Sequence, residues 1–104
     1  MMESKEWYSN GFNPMLALTM DRHFAKILHA GMDVEGKRLN LEFILDDGKK
    51  RKFEIDNPSD VKNILEYTHS ESADKLDGKI ISVLQPRGID YVQGVVVNPE
   101  AYPS

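Results

Sequence analysis

Arg38-Leu39-Asn40-Leu41-Glu42-Phe43-Ile44-Leu45-Asp46-Asp47-Gly48-Lys49-Lys50-Arg51-Lys52-Phe53-Glu54-Ile55 reads as two strands about a tight turn. Leu39, Leu41, Phe43 and Leu45 recur at period two, the spacing that puts alternate side chains on one face of a strand. Asp46-Asp47-Gly48 supplies turn chemistry, and Phe53 and Ile55 repeat the alternation on the return. The register follows from the apolar pattern. A two-residue loop at Asp47-Gly48 would place Phe53 and Ile55 on the face opposite Leu41 and Phe43. A three-residue loop with glycine in the bulge pairs Leu45 with Lys49, Phe43 with Arg51 and Leu41 with Phe53, so both apolar sets share a face.

Downstream, Asn57-Pro58 opens the clearest helix, predicted from about Pro58 to Tyr67. Asparagine is a favoured cap, and proline is favoured at the first helical position. Val61, Ile64, Leu65 and Thr68 fall on one face, with Asp60, Lys62, Asn63 and Glu66 on the other. Asn13-Pro14 and Asn98-Pro99 repeat the start signal. Ser70 to Lys75 reads as a polar turn or one helical turn, stopped by Gly78 in a left-handed conformation.

Lys79–Gln85 and Tyr91–Val97 are β-rich, apolar on both faces, and joined by Pro86-Arg87-Gly88. They read as interior strands, with Gly94 marking a bulge or close backbone approach of structural origin. Upstream, residues 14–34 admit two readings. One is a helix carrying Met20, Phe24, Ile27 and Leu28 and closed by Gly31. The other is a short helix from Pro14 to about Met20, then a strand in which Ala25–Val34 pairs with Leu39–Leu45 across Glu35-Gly36-Lys37, adopted partly for the resemblance carried by Ile64-Leu65-Glu66, Glu71 through Ile80 and Val92-Gln93-Gly94. The predicted fold is α+β: an antiparallel sheet of four to five strands with one main helix, about residues 58–67, packed on one face.

Composition places this pattern in one folded domain. With 104 residues, 40% hydrophobic and 29% charged, the chain can bury a single core. Residues 1–104 are read as that domain, with a polar and aromatic N-terminal segment at 1–13 and a short tail at 98–104. The chain has no cysteine, which excludes disulfides and thiolate chemistry and fits a reducing compartment. The first residues lack an apolar signal-peptide core, and no stretch approaches the roughly 18 apolar residues of a membrane span. The expected setting is therefore cytoplasmic, without membrane association. A net charge of −4 argues against a general nucleic-acid coat.

Candidate functional residues fall in two groups. Lys49-Lys50-Arg51-Lys52 could contact phosphates or an acidic protein surface. The plainer alternative is that the lysines protect an exposed strand edge and answer Asp46 and Asp47. The pleat sends Lys50 and Lys52 to one face, Lys49 and Arg51 to the other. Trp7, Tyr8 and Phe12 are aromatic residues in a polar segment. They suit either a partner anchor or a pin holding the N-terminus on the sheet. Ile44, apolar on the outward face of its strand, hints at a covered or adhesive surface.

No assembled catalytic constellation emerges. His23, His29 and His69 match no zinc-binding spacing, and without thiolates a site would need Asp21 or another carboxylate. Thr68-His69-Ser70-Glu71-Ser72 contains the residue types of acyl transfer, yet such residues are common in polar turns. The glycines are isolated, so no phosphate loop is indicated. No catalytic, cofactor-binding or metal-binding residue is assigned, and no cofactor is expected.

Ile64-Leu65-Glu66, Glu71 through Ile80 and the Val92-Gln93-Gly94 strand together resemble small phage and prophage accessory proteins of uncharacterised function, over about residues 23–97. In that group a β-hairpin, a helix ending in Ile-Leu-Glu and a Leu-Lys-Gly-Lys step precede two closing strands. Here Leu76-Asp77-Gly78-Lys79 carries aspartate within the step, and Ala73 or Asp74 stands where tryptophan is usual. The resemblance implies a phage-type accessory protein and no chemistry.

The expected function is a non-catalytic binding protein acting through a protein partner, with modulation or inhibition of a host defence protein as its concrete form. Two alternatives are carried: a nucleic-acid-binding module using Lys49–Lys52, and a structural or oligomeric role with homodimerisation through a strand edge. A small hydrolase using His69 with Ser70 or Ser72 requires those side chains to converge.

Overall fold

A computed structural model describes residues 6–9 and 14–102 of the chain. The hairpin at its centre has the register expected from the apolar pattern: β3 (Leu39–Leu45) pairs antiparallel with β4 (Lys50–Ile55), Leu41 opposite Phe53 and Phe43 opposite Arg51. The turn closes through hydrogen bonds from Gly48 N to Leu45 O and from Leu45 N to Lys49 O, and Gly48 takes φ +87°. That left-handed angle is why glycine occupies the bulge position.

Residues 14–34 form a short helix, α1 (Pro14–Ala17), and then the 13-residue strand β2 (Met20–Met32). β2 is the spine of the sheet. Its first half pairs with β5 (Ile80–Pro86) and its second half with β3. The register with β3 slips between Ile27 and His29. One extra residue there reverses the side-chain alternation. Ala25, Ile27 and Ala30 consequently all lie in the core while His29 stays exposed.

All pairings are antiparallel, and with β1 (Trp7–Tyr8) and β6 (Gly94–Val97) the strand order is β1-β6-β5-β2-β3-β4. Among the described residues the sheet therefore has six strands rather than four to five. The additional strand comes from the polar and aromatic N-terminal segment. A two-residue strand has no periodicity of its own, and β1 forms only because β6 offers it an edge. The buried Ser9 hydroxyl extends this seam by accepting from Val95 N at 2.8 Å.

β6 starts at Gly94, not Tyr91. Gly94 pairs regularly with Leu84 and no bulge interrupts this pairing. Residues 87–93 instead form a loop from which Val92 enters the core. An apolar residue near a strand start gives the same sequence signal whether it lies in the ladder or plugs the core from a loop. β5 and β6 are interior strands, each paired on both sides.

The main helix α2 spans Pro58–Tyr67, with the Asn57 side chain accepting from Ser59 N. Val61, Ile64 and Thr68 are buried, and so is Asp60, expected on the outer face. Asp60 sits in the first turn, where a carboxylate is favoured by the helix dipole. The helix ends with a double closure, Ser70 N to Leu65 O and His69 N to Glu66 O, with His69 at φ +54°. This is a Schellman motif with histidine where glycine is commonest. One 3-10 turn follows at Ala73–Leu76, with Gly78 at φ +86°, and another at Pro99–Ala101, capped by Asn98.

The core lies on one face of the sheet. Ile27, Leu39, Leu41, Phe43, Val83 and Val95 meet Val61, Ile64, Ala73, Leu76 and Val92 there. Thus α2, the first 3-10 turn and the 87–93 loop jointly cover that face. No helix among the described residues is long and apolar enough to cross a membrane.

Candidate partner-binding face

The pleat that buries Leu41, Phe43 and Leu45 turns Glu42 and Ile44 to the second face of the sheet. Cross-strand register extends that face. Ile80, Lys26, Ile44 and Lys50 form one row, each opposite the next. Val96, Ser82 and Phe24 form the neighbouring row, and His29, Glu42 and Lys52 a third. Near β6 this face is closed, with Leu84 and Val96 each about 1% exposed. Over β2 and the start of β5 it is open. Phe24 is 67% exposed and Ile80 57%.

Three shallow cavities lie along the same face. One of about 600 Å³ is bordered by Arg22, Phe24, Ile80, Ser82 and Tyr102. A smaller one of about 190 Å³ shares Phe24 and Ile80 and adds Lys26, Ile44 and Asp46. The third, about 510 Å³, includes His29, Glu42, Lys52 and Glu54. Phe24 and Ile80 thus form the wall common to two adjoining depressions.

Of the acidic groups of this region, Asp46, Glu6 and Glu54 have partners, whereas Glu42, half-buried opposite Lys52, makes no ion pair within 4.0 Å among the described residues. Asp46 accepts from Phe24 N at 3.3 Å and stands 3.1 Å from His23 Nδ1. The His23 contact, aided by the backbone N–H, holds the Asp46 carboxyl below the usual carboxylate range. Glu6 engages Arg22, and Glu54 lies 3.8 Å from Arg38. Lys26, Lys50 and Lys52 are exposed and make no ion pair within 4.0 Å among the described residues.

The four-residue basic run is divided, as its alternation requires. Lys50 and Lys52 stand on the open face. Arg51 points to the core side, where Nη2 donates to Asp90 at 2.6 Å and Nη1 donates to Lys50 O at 2.8 Å. Arg51 Nε is buried with no hydrogen-bond partner among the described residues. Lys49 is exposed beside the turn. The run is therefore not one continuous cationic patch.

The aromatic candidates also separate. Trp7 is half-buried against the core, its ring 6.3 Å from that of Tyr67 on α2. Tyr8 pairs with Val96 and so faces the other side, its hydroxyl 3.3 Å from Glu6 Oε1. Phe12 lies outside the described residues. Ile44 is half-buried in the row described above.

The Thr68–Ser72 cluster is occupied with ending the helix. Thr68 Oγ1 donates to Ile64 O at 2.6 Å and lies 2.8 Å from Ser70 Oγ, while Ser72 Oγ bonds Asp74. Among the described residues, His69 makes no side-chain hydrogen bond to Ser70 or Ser72. His29 stands 3.9 Å from Asp77, and Asp21 pairs with Arg87. Among the described residues no three histidine, aspartate or glutamate side chains are grouped as metal ligands would be.

Phe24, Lys26 and Ile80 are the residues of this face that the sequence reading did not single out. Their signal lies in parity: once Ala25 and Ile27 are assigned to the core face of a strand, Phe24 and Lys26 must face outward. None of the family models, curated proteins or solved structures compared with the chain shows a significant match.

Proposed function

We propose that this protein is a non-catalytic binding module that acts through a protein partner seated on the open face of the sheet. The observation that carries the reading is the exposure of Phe24 and Ile80 on that face, adjoining Ile44. Solvent-facing strand positions are ordinarily polar, and contiguous apolar groups there mark contact surfaces. An exposed phenylalanine in a depression is also the kind of residue that anchors interfaces. The resemblance of residues 23–97 to phage accessory proteins supports a narrower form: a cytoplasmic modulator or inhibitor of a host defence protein.

The test is affinity capture from a bacterial lysate with tagged wild-type protein and a Phe24→Asp variant, washed at low and then high salt. The reading expects one protein retained at high salt by the wild type and lost by the variant. Equal capture by both would remove the open face from the binding reaction.

A second reading is nucleic-acid binding through Lys50 and Lys52, favoured by their adjacent, unpaired placement on the same face. It expects nucleic acid in the low-salt fraction, steeply lost as salt rises. Charge reversal at both lysines would abolish that recovery.

A further inference from the structure

We infer that the segment occupying the open face is acidic: a stretch of a partner protein carrying aspartate or glutamate beside aliphatic or aromatic residues. The inference rests on the proposed partner reading and specifies its chemistry.

Ile80, Lys26, Ile44 and Lys50 stand in one cross-strand row. Adjacent strands lie about 4.8 Å apart, so Lys26 and Lys50 flank Ile44 with a separation of about 10 Å between their strands. Lys52 follows Lys50 two residues along the same face. Apolar contacts and ammonium groups are therefore interleaved at spacings one short segment can span.

Charge bookkeeping on this face is asymmetric, although the whole chain is net −4. Asp46, Glu54 and Glu6 are engaged by His23, Arg38 and Arg22. Glu42, opposite Lys52, is half-buried. Lys26, Lys50 and Lys52 have no ion-pair partner among the described residues and present three donors each. An incoming carboxylate gains a charged partner without breaking an existing pair. An incoming lysine or arginine would bring like charge against the two that flank Ile44.

The same observations favour protein over nucleic acid. Single-strand binders present successive aromatic rings for base stacking. Here Phe24 adjoins aliphatic Ile44 and Ile80, and among the described residues Tyr102 is the one other ring bordering its two depressions.

A displayed library of random linear peptides, selected on the full-length protein, tests the inference. The expected outcome is enrichment of peptides with aspartate or glutamate next to leucine, isoleucine or phenylalanine. Their binding should vanish with Phe24→Asp and weaken roughly tenfold with the double variant Lys26→Glu, Lys50→Glu. Selection on that double variant should instead favour basic residues. Far-ultraviolet circular dichroism and thermal unfolding establish that both variants are folded.

Enrichment of neutral or basic peptides that still require Phe24 would overturn the acidic assignment and leave the partner reading standing. Peptides indifferent to Phe24→Asp, or no enrichment, would overturn both. Binding of a single-stranded oligonucleotide in competition with the peptides, or a dimer in sedimentation that Phe24→Asp dissociates, would replace the acidic segment with a different occupant.

Discussion

Arg51 on the edge strand β4 donates to Asp90 in the loop between β5 and β6, clasping together two segments 39 residues apart at 2.6 Å. In sequence Arg51 belongs to a basic run. In the fold it fastens the loop that carries Val92 into the core. Replacing Arg51 with alanine should speed hydrogen exchange of amides in residues 87–93, whereas Lys52→Ala, on the opposite face, should leave them unchanged. Equal effects would mean that the ion pair does not hold the loop.

The clasp carries a pH signature. Its hydrogen bond and charge hold the Asp90 carboxyl below the ordinary value near 3.9. A depressed folded-state value means that the contribution is fully present above the unfolded pKa. It is lost as pH falls through the folded one. Thermal unfolding of wild type and Asp90→Asn should therefore differ at neutral pH and converge at the acid end. Divergence on acidification would contradict this sign.

Trp7 is the only tryptophan, and it reports on the strand that pattern analysis missed. Its packing against Tyr67 and the core predicts that tryptophan emission shifts to the red at the same urea midpoint at which circular dichroism is lost. An earlier fluorescence transition would show that β1 detaches independently.

His69 occupies the left-handed position that ends α2. A residue with a Cβ is disfavoured there by about 1–2 kcal/mol, partly offset in glycine by its greater unfolded-state freedom. His69→Gly should therefore raise stability by about 0.5–1 kcal/mol in urea titration. A loss of stability would show that the imidazole contributes more than the backbone strain costs.

Ile64 and Phe24 should respond oppositely to truncation despite both being large and apolar. Ile64 is fully buried between α2 and the sheet, so Ile64→Ala should cost about 2–5 kcal/mol. Phe24→Ala removes an exposed ring and should change stability by no more than about 0.5 kcal/mol. Its effect should appear in binding instead.

Local chemistry is what the sequence by itself determined. The alternation of Leu39, Leu41, Phe43 and Leu45, with Gly48 as the bulge residue, specified both the hairpin and its register. Burial on one face penalises a one-residue slip at every position. Asn57-Pro58 and the spacing of Val61, Ile64 and Thr68 specified the helix, because caps and a 3.6-residue period are short-range signals. Even the division of Lys50 and Lys52 from Lys49 and Arg51 followed from the pleat.

Only the tertiary structure decided what depends on distant chain segments. Trp7 and Tyr8 become a strand because β6 presents an unpaired edge. The extra residue after Ile27 sets Ala30 inward and His29 outward, a choice made by pairing with β3. Arg51 is paired rather than free because Asp90 arrives beside it from a loop that folds back over the core. Phe24 lies exposed because α2, the first 3-10 turn and the 87–93 loop all pack on the other face, and the candidate binding surface exists for that reason.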